Sequence, residues 1–170
     1  MEDMFMKYDR YFLENVHNDI KAYMAAMDLE PHRRPQNHIS HFTYDCDFYT
    51  LRYWRSKDTA WLTDHWYNQS CLELLVYNNK LYIGIWFGLN NKDASKLNKH
   101  KHEIMDKCRE YPEYTWADEK ETHAPTDEKL IQWLCETGHE TVFRKELASY
   151  NKDAVVLEMR HLKEYLDILL

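Results

Sequence analysis

The sequence predicts a single α+β domain over residues 1–170: a small antiparallel sheet centred on a hairpin at 71–87, packed by a long N-terminal helix, a central helix and a C-terminal helix. Three observations predict it. Two apolar runs flank Asn78 and Asn79, residues that tolerate the positive φ angles of a two-residue type I′ turn. Apolar side chains recur at steps of three and four near both ends of the chain, the mark of amphipathic helices. No linker, repeat or low-complexity tract divides the 170 residues, a length that fits one domain.

The elements follow in order. Phe5, Tyr8, Phe12, Val16, Ile20, Tyr23, Met24 and Met27 form one stripe, so a helix is expected from Met4 to about Met27, ending before Pro31. The segment Glu30 to His41, with Arg33 and Arg34 between two prolines, reads as a loop. Phe42 to Tyr53 is aromatic and β-branched with a break in alternation, which predicts one or two strands and a turn or bulge near Asp45 to Asp47. Ser56 to Ser70 reads as irregular but packed down, because it carries Trp61, Trp66 and Tyr67.

The Asn78–Asn79 turn sets the hairpin register, pairing Val76 with Leu81, Leu74 with Ile83 and Leu72 with Ile85. Those six aliphatics share one face, which must be the core face. The other face carries Cys71, Glu73, Leu75 and Tyr77 opposite Trp86, Gly84 and Tyr82. An isolated hairpin is marginal in water, so a helix must lie on it. Lys92 to Arg109, capped at Asn90–Asn91, is expected to be helical with Ala94, Leu97, Ile104, Met105 and Cys108 inward and a basic outer face. Tyr114 to Ala117 predicts a short strand. Thr126 caps a helix whose first turn holds Asp127 and Glu128 and which stops near Gly138. Asn151 caps a last helix with Val155, Met159, Leu162, Leu166 and Leu169 as its stripe. His139 to Tyr150 gives no clear signal.

Charge and cysteine usage narrow the function classes. The formal net charge is −7. Between Glu110 and Glu128 seven acids face a single base, Lys120, a stretch that repels polyanions and attracts a basic partner. Cys46, Cys71, Cys108 and Cys135 form no CxxC pair, so spacing indicates neither a zinc knuckle nor a redox dithiol. The acidic start lacks the basic and apolar regions of a secretory signal, and no apolar run approaches the roughly 18 residues of a membrane span. These features lead to the expectation of a cytoplasmic protein with no membrane association.

Catalytic motifs are sparse. With three glycines the chain has no GxGxxG or GxxxxGK phosphate cradle, no GxSxG and no cysteine in an activating context, and no cofactor is expected. His38 and His41, followed by Asp45 and Asp47, form the best metal-ligand cluster and support an alternative reading as a metal-dependent hydrolase. That HxxH pair falls in a loop or strand start rather than on a helix, where its side chains would converge. Lys96, Lys99, His100 and Lys101 on the 92–109 helix, with Arg33 and Arg34, support a second alternative, a nucleic-acid-binding accessory domain. Glu103 and Asp106 dilute that patch.

The order of "LYIGIWFG", a long helix, "EYTWADEKE", "TDEKLIQWL" and a closing "HLKEYLDILL" over the last hundred or so residues resembles the non-catalytic C-terminal region of bacterial PD-(D/E)XK nuclease superfamily proteins. The resemblance implies a bacterial or phage defence setting and a degenerate nuclease-related protein at most. The family's catalytic Asp and Glu-x-Lys have no counterpart: Glu73 is followed by Leu74 and Leu75, without the lysine.

The leading expectation is a non-enzymatic interaction module, an inhibitor or immunity-type factor that binds a basic protein surface. Its acids are Glu113, Asp118, Glu119 and Glu121, interleaved with Tyr114 and Trp116, since aromatics are the usual interface anchors. A second patch, Glu73, Tyr77, Tyr82 and Trp86 around Gly84, is either open to a partner or covered by helices from the termini.

Overall fold

The computed structural model describes residues 8–31, 39–43, 47–56, 70–87, 99, 100, 102, 103, 105–107, 109–118, 123, 126–135 and 141–169. They build an α+β fold with one seven-stranded sheet. Its strands are β1 (Leu29–Glu30), β2 (Ile39–Thr43), β3 (Asp47–Arg55), β4 (Cys71–Tyr77), β5 (Lys80–Phe87), β6 (Thr115–Asp118) and β7 (Thr141–Leu147), joined by helices α1 (Arg10–Ala26), α2 (Asp127–Cys135) and α3 (Lys152–Leu169). The order is β1-β3-β4-β5-β7-β6, with β2 also paired to β3, and every pairing is antiparallel.

Local chemistry explains each element. Asp9 caps α1 by accepting the Phe12 N–H at 2.9 Å. The helix ends where Asp28 takes φ 58°, a left-handed angle that Asp tolerates. The expected hairpin forms in the expected register, with Leu72 opposite Ile85, Leu74 opposite Ile83 and Val76 opposite Leu81. Asn78 and Asn79 adopt φ 51° and 58°, as a type I′ turn requires. Thr126 Oγ1 accepts the Lys129 N–H at 3.1 Å and Asn151 Oδ1 accepts the Ala154 N–H at 2.9 Å, so both expected caps hold their helices. The 42–53 region resolves into β2 and β3, with Thr43 opposite Asp47. Of the central helix, backbone at 99, 100, 102, 103 and 105–107 is helical, and its expected cap, Ala94 and Leu97 lie outside the described residues.

One sheet face carries Leu51, Tyr53, Leu72, Leu74, Val76, Leu81, Ile83, Ile85 and Phe143, all buried against the Leu13–Val16–Ile20–Met24 stripe of α1 and the Val155–Met159–Leu162–Leu166 stripe of α3. The segment without a clear sequence signal supplies β7, an internal strand flanked by β5 and β6.

The second face corrects an expectation. Trp86 and Glu73 are buried, Tyr77 and Tyr82 half-buried, so this patch is not an open binding surface. Nor do the terminal helices cover it, because α1 and α3 pack on the aliphatic face. Trp54, Cys71, Trp86 and Val142 form a second small core here. Gly84 does permit a close approach, but of the chain's own β7: a Cβ at Gly84 would collide with the Phe143 carbonyl and come within 2.7 Å of Arg144 Cβ. Among the described residues no helix is long and apolar enough to cross a membrane.

Candidate functional site

The expected acidic and aromatic stretch leads to a cleft. β6 is the outermost strand beyond β7 and pairs Trp116 with Phe143. Alternation places Trp116 on the aliphatic face, where its ring stacks 5.5 Å from Phe87 and lies 4.6 Å from Phe143. Two residues earlier Tyr114 stacks on Phe143 at 4.9 Å. Tyr111 then meets Tyr114 and Tyr165 edge-on at 6.1 and 5.7 Å. The last turn of the central helix contributes Met105, and α2 contributes Leu130. Together with Tyr111, Tyr114, Trp116, Phe143, Arg109, Pro112 and Asp127, these two line a cleft of about 310 Å³.

The cleft is apolar within and charged at its rim. Arg109 Nη1 lies 2.7 Å from Asp106 Oδ1 and its Nη2 lies 2.9 Å from Asp127 Oδ2, so one guanidinium bridges carboxylates from two elements. Glu110 and Glu113 are exposed nearby in sequence. Such exposed pairs are weakly stabilising, and the rim remains adjustable.

Below it a polar brace fixes the floor. The Tyr114 hydroxyl donates to Glu158 Oε2 at 2.5 Å. Lys145 Nζ donates to Glu158 Oε1 at 2.6 Å and to Glu113 Oε2 at 3.1 Å. Burial, then the hydrogen bond to Glu158, drives the Tyr114 phenol well above its ordinary range. Burial alone would depress the Lys145 ammonium, but its hydrogen bonds to Glu158 and Glu113 outweigh that and raise it. Both groups are therefore held protonated at neutral pH. The brace positions Tyr114; it supplies neither an activated nucleophile nor a free base.

Of the expected site residues, the structure brings Tyr114 and Trp116 into the cleft wall and leaves Glu113 exposed beside it, tied to Lys145. Backbone at Asp118 closes β6, while Glu119 and Glu121 lie outside the described residues. Glu73 is instead an internal ion-pair partner of Arg52, whose guanidinium lies over the Trp86 ring at 4.4 Å. Tyr82 lies under Arg144 at 4.9 Å. The metal reading rested on His38 and Asp45, outside the described residues, and on His41 and Asp47, whose backbones fall in β2 and β3. The wall formed by Arg109, Asp127 and Leu130 was not anticipated. Asp127 reads locally as a helix-dipole partner, and nothing in the intervening residues announces that it meets Arg109.

A second cleft of about 330 Å³ is lined by Asp28, Arg55, Ser56, Lys163 and Asp167. It balances two cations with two anions and favours neither sign of ligand. Comparison with known proteins returned no match, whether against protein-family models, curated proteins or solved structures.

Proposed function

We propose that this chain is a non-enzymatic protein-interaction module, of inhibitor or immunity type, that engages a basic surface of a protein partner. The observation that carries this reading is the aromatic cleft of Tyr111, Tyr114, Trp116 and Phe143 with carboxylates at its rim. Rigid aromatic walls provide contact area at low entropic cost, and the acids of 110–128 steer a cationic partner toward them. The resemblance of the C-terminal half to nuclease-superfamily proteins supports a bacterial or phage defence setting.

The nucleic-acid reading draws less support. On the described part of the central helix Lys99, His100 and Lys107 alternate with Glu103 and Asp106, and the Lys107 ammonium leans toward the Tyr165 ring at 6.0 Å.

Affinity capture should therefore isolate a partner of basic surface whose binding weakens with salt and is lost in a Glu113→Lys/Glu119→Lys/Glu121→Lys variant. Capture indifferent to charge reversal, or a salt-sensitive mobility shift with DNA or RNA, would refute the interaction reading.

A further inference from the structure

We propose that the sheet face opposite α1 and α3 encloses a binding site for a small oxyanion, a phosphate or carboxylate group, framed by Arg52, Arg144 and the Trp86 indole. The site lies across the sheet from the aromatic cleft and is independent of the interaction reading. Strand register builds its frame. Arg52, Glu73, Gly84 and Arg144 form one row across β3, β4, β5 and β7, and the two arginines and the glutamate of that row are all buried. Both arginines lean toward β5, from opposite sides. Arg52 places its guanidinium 4.4 Å from the Trp86 ring centroid, and Arg144 places its own 4.9 Å from that of Tyr82. Those rings stand two residues after and two residues before Gly84 on the same strand, and glycine puts no side chain between them. Two cationic head groups therefore flank one bare position of the sheet.

A second, independent observation is an orphaned donor. Trp86 is buried, yet among the described residues its Nε1 has no hydrogen-bond partner, and neither has Oγ1 of the buried Thr50, two residues before Arg52 on the same face. A buried N–H without an acceptor is costly. The chemistry of the frame selects what would meet it. Guanidinium and indole nitrogens only donate, so a water, which must itself donate, suits them less well than an oxyanion, whose oxygens accept several bonds at once. The planar fork of arginine fits phosphate and carboxylate oxygens alike. Glu73 Oε2 accepts from Arg52 Nε at 3.1 Å, which fixes that guanidinium over Trp86. Glu146, the acid opposite Tyr82, is exposed and belongs to the rim.

The test refolds isotopically labelled protein from urea in sodium phosphate, sodium acetate or sodium chloride at matched ionic strength, so that the enclosed site loads as the sheet forms. The Trp86 indole N–H, identified as the resonance lost in Trp86→Phe, is followed by NMR. Phosphate or acetate should move it saturably and chloride should not, and the tighter of the two assigns the group. At about ten times the dissociation constant so obtained, the unfolding equilibrium constant of the parent should fall about tenfold. Arg144→Gln and Trp86→Phe should lose most of that protection. An indole resonance that neither oxyanion moves overturns the proposal. Equal protection of the parent and both variants overturns it too, since that is the mark of a general salt effect. The parent titration decides even where a variant fails to fold.

Discussion

The Arg52 guanidinium donates to the Glu73 carboxylate at 3.1 Å on the sheet face opposite α1 and α3, with the two side chains only 7% and 4% exposed. A buried charge that loses its partner is costly even where the pair itself adds little net stability. Glu73→Ala should therefore lower stability by about 3–5 kcal/mol. Replacing both charges, as Arg52→Met/Glu73→Leu, should cost less than the two single changes summed. Urea denaturation of the four proteins checks this, and additive losses would show that the two charges are not coupled.

Gly84 is set against β7 so closely that any β-carbon meets the Phe143 carbonyl and the Arg144 backbone. Backbone cannot give way as a flexible side-chain tip can. Gly84→Ala should cost about 2–3 kcal/mol, read from the thermal midpoint, and a neutral result would mean that β5 and β7 separate freely enough to admit a methyl group.

The two turn asparagines should respond differently to glycine. Both have positive φ, which glycine adopts without strain. Only Asn79 also accepts a hydrogen bond, from the Tyr8 N–H at 2.9 Å. Asn78→Gly should stay within about 0.5 kcal/mol of the parent, while Asn79→Gly should lose about 1 kcal/mol more. Hydrogen exchange at the Tyr8 amide should rise in the second variant alone.

Alkaline pH should destabilise the fold. Burial, followed by repulsion from Tyr150, raises the Tyr53 phenol; burial and the hydrogen bond that its hydroxyl donates to Asp19 raise Tyr150; burial also raises the Cys71 thiol, with Arg52 opposing and Glu73 assisting. Tyr114 behaves alike. A group whose folded pKa is raised contributes stability that is complete below its unfolded value and is lost as pH climbs toward the folded one. With ordinary values of 9.0 for the thiol and 10.0 for the phenols, stability should decline from about pH 9 upward. Denaturation midpoints measured from pH 7 to 11 check the slope, and Tyr114→Phe should make it shallower.

How far the sequence foretold this molecule follows from the range of the interactions. The 71–87 hairpin was legible because its turn residues and its alternation are local and agree on one register. The caps at Thr126 and Asn151 were legible for the same reason. Trp116 and Tyr114, which line the cleft, stand out in the sequence because they sit among acids. What joins them to Arg109, Asp127, Leu130 and Lys145 is sheet order and helix packing, and neither is written in any short window. Glu73 misled because alternation shows which side of a strand a residue takes, not whether that side is covered. In β7, Arg144 and Lys145 interrupt the apolar pattern, since one lies over Tyr82 and the other braces Tyr114.

The insertion of β7 between β5 and β6 bears on how the chain is made. During synthesis β6 leaves the ribosome before the strand that holds it, and the nascent polypeptide meanwhile exposes the long edge of β5, from Leu81 to Phe87. Bare edges of that kind recruit other strands. Until Thr141–Leu147 emerges, the cleft has no Phe143 floor, so its assembly is one of the last events in the protein's biogenesis.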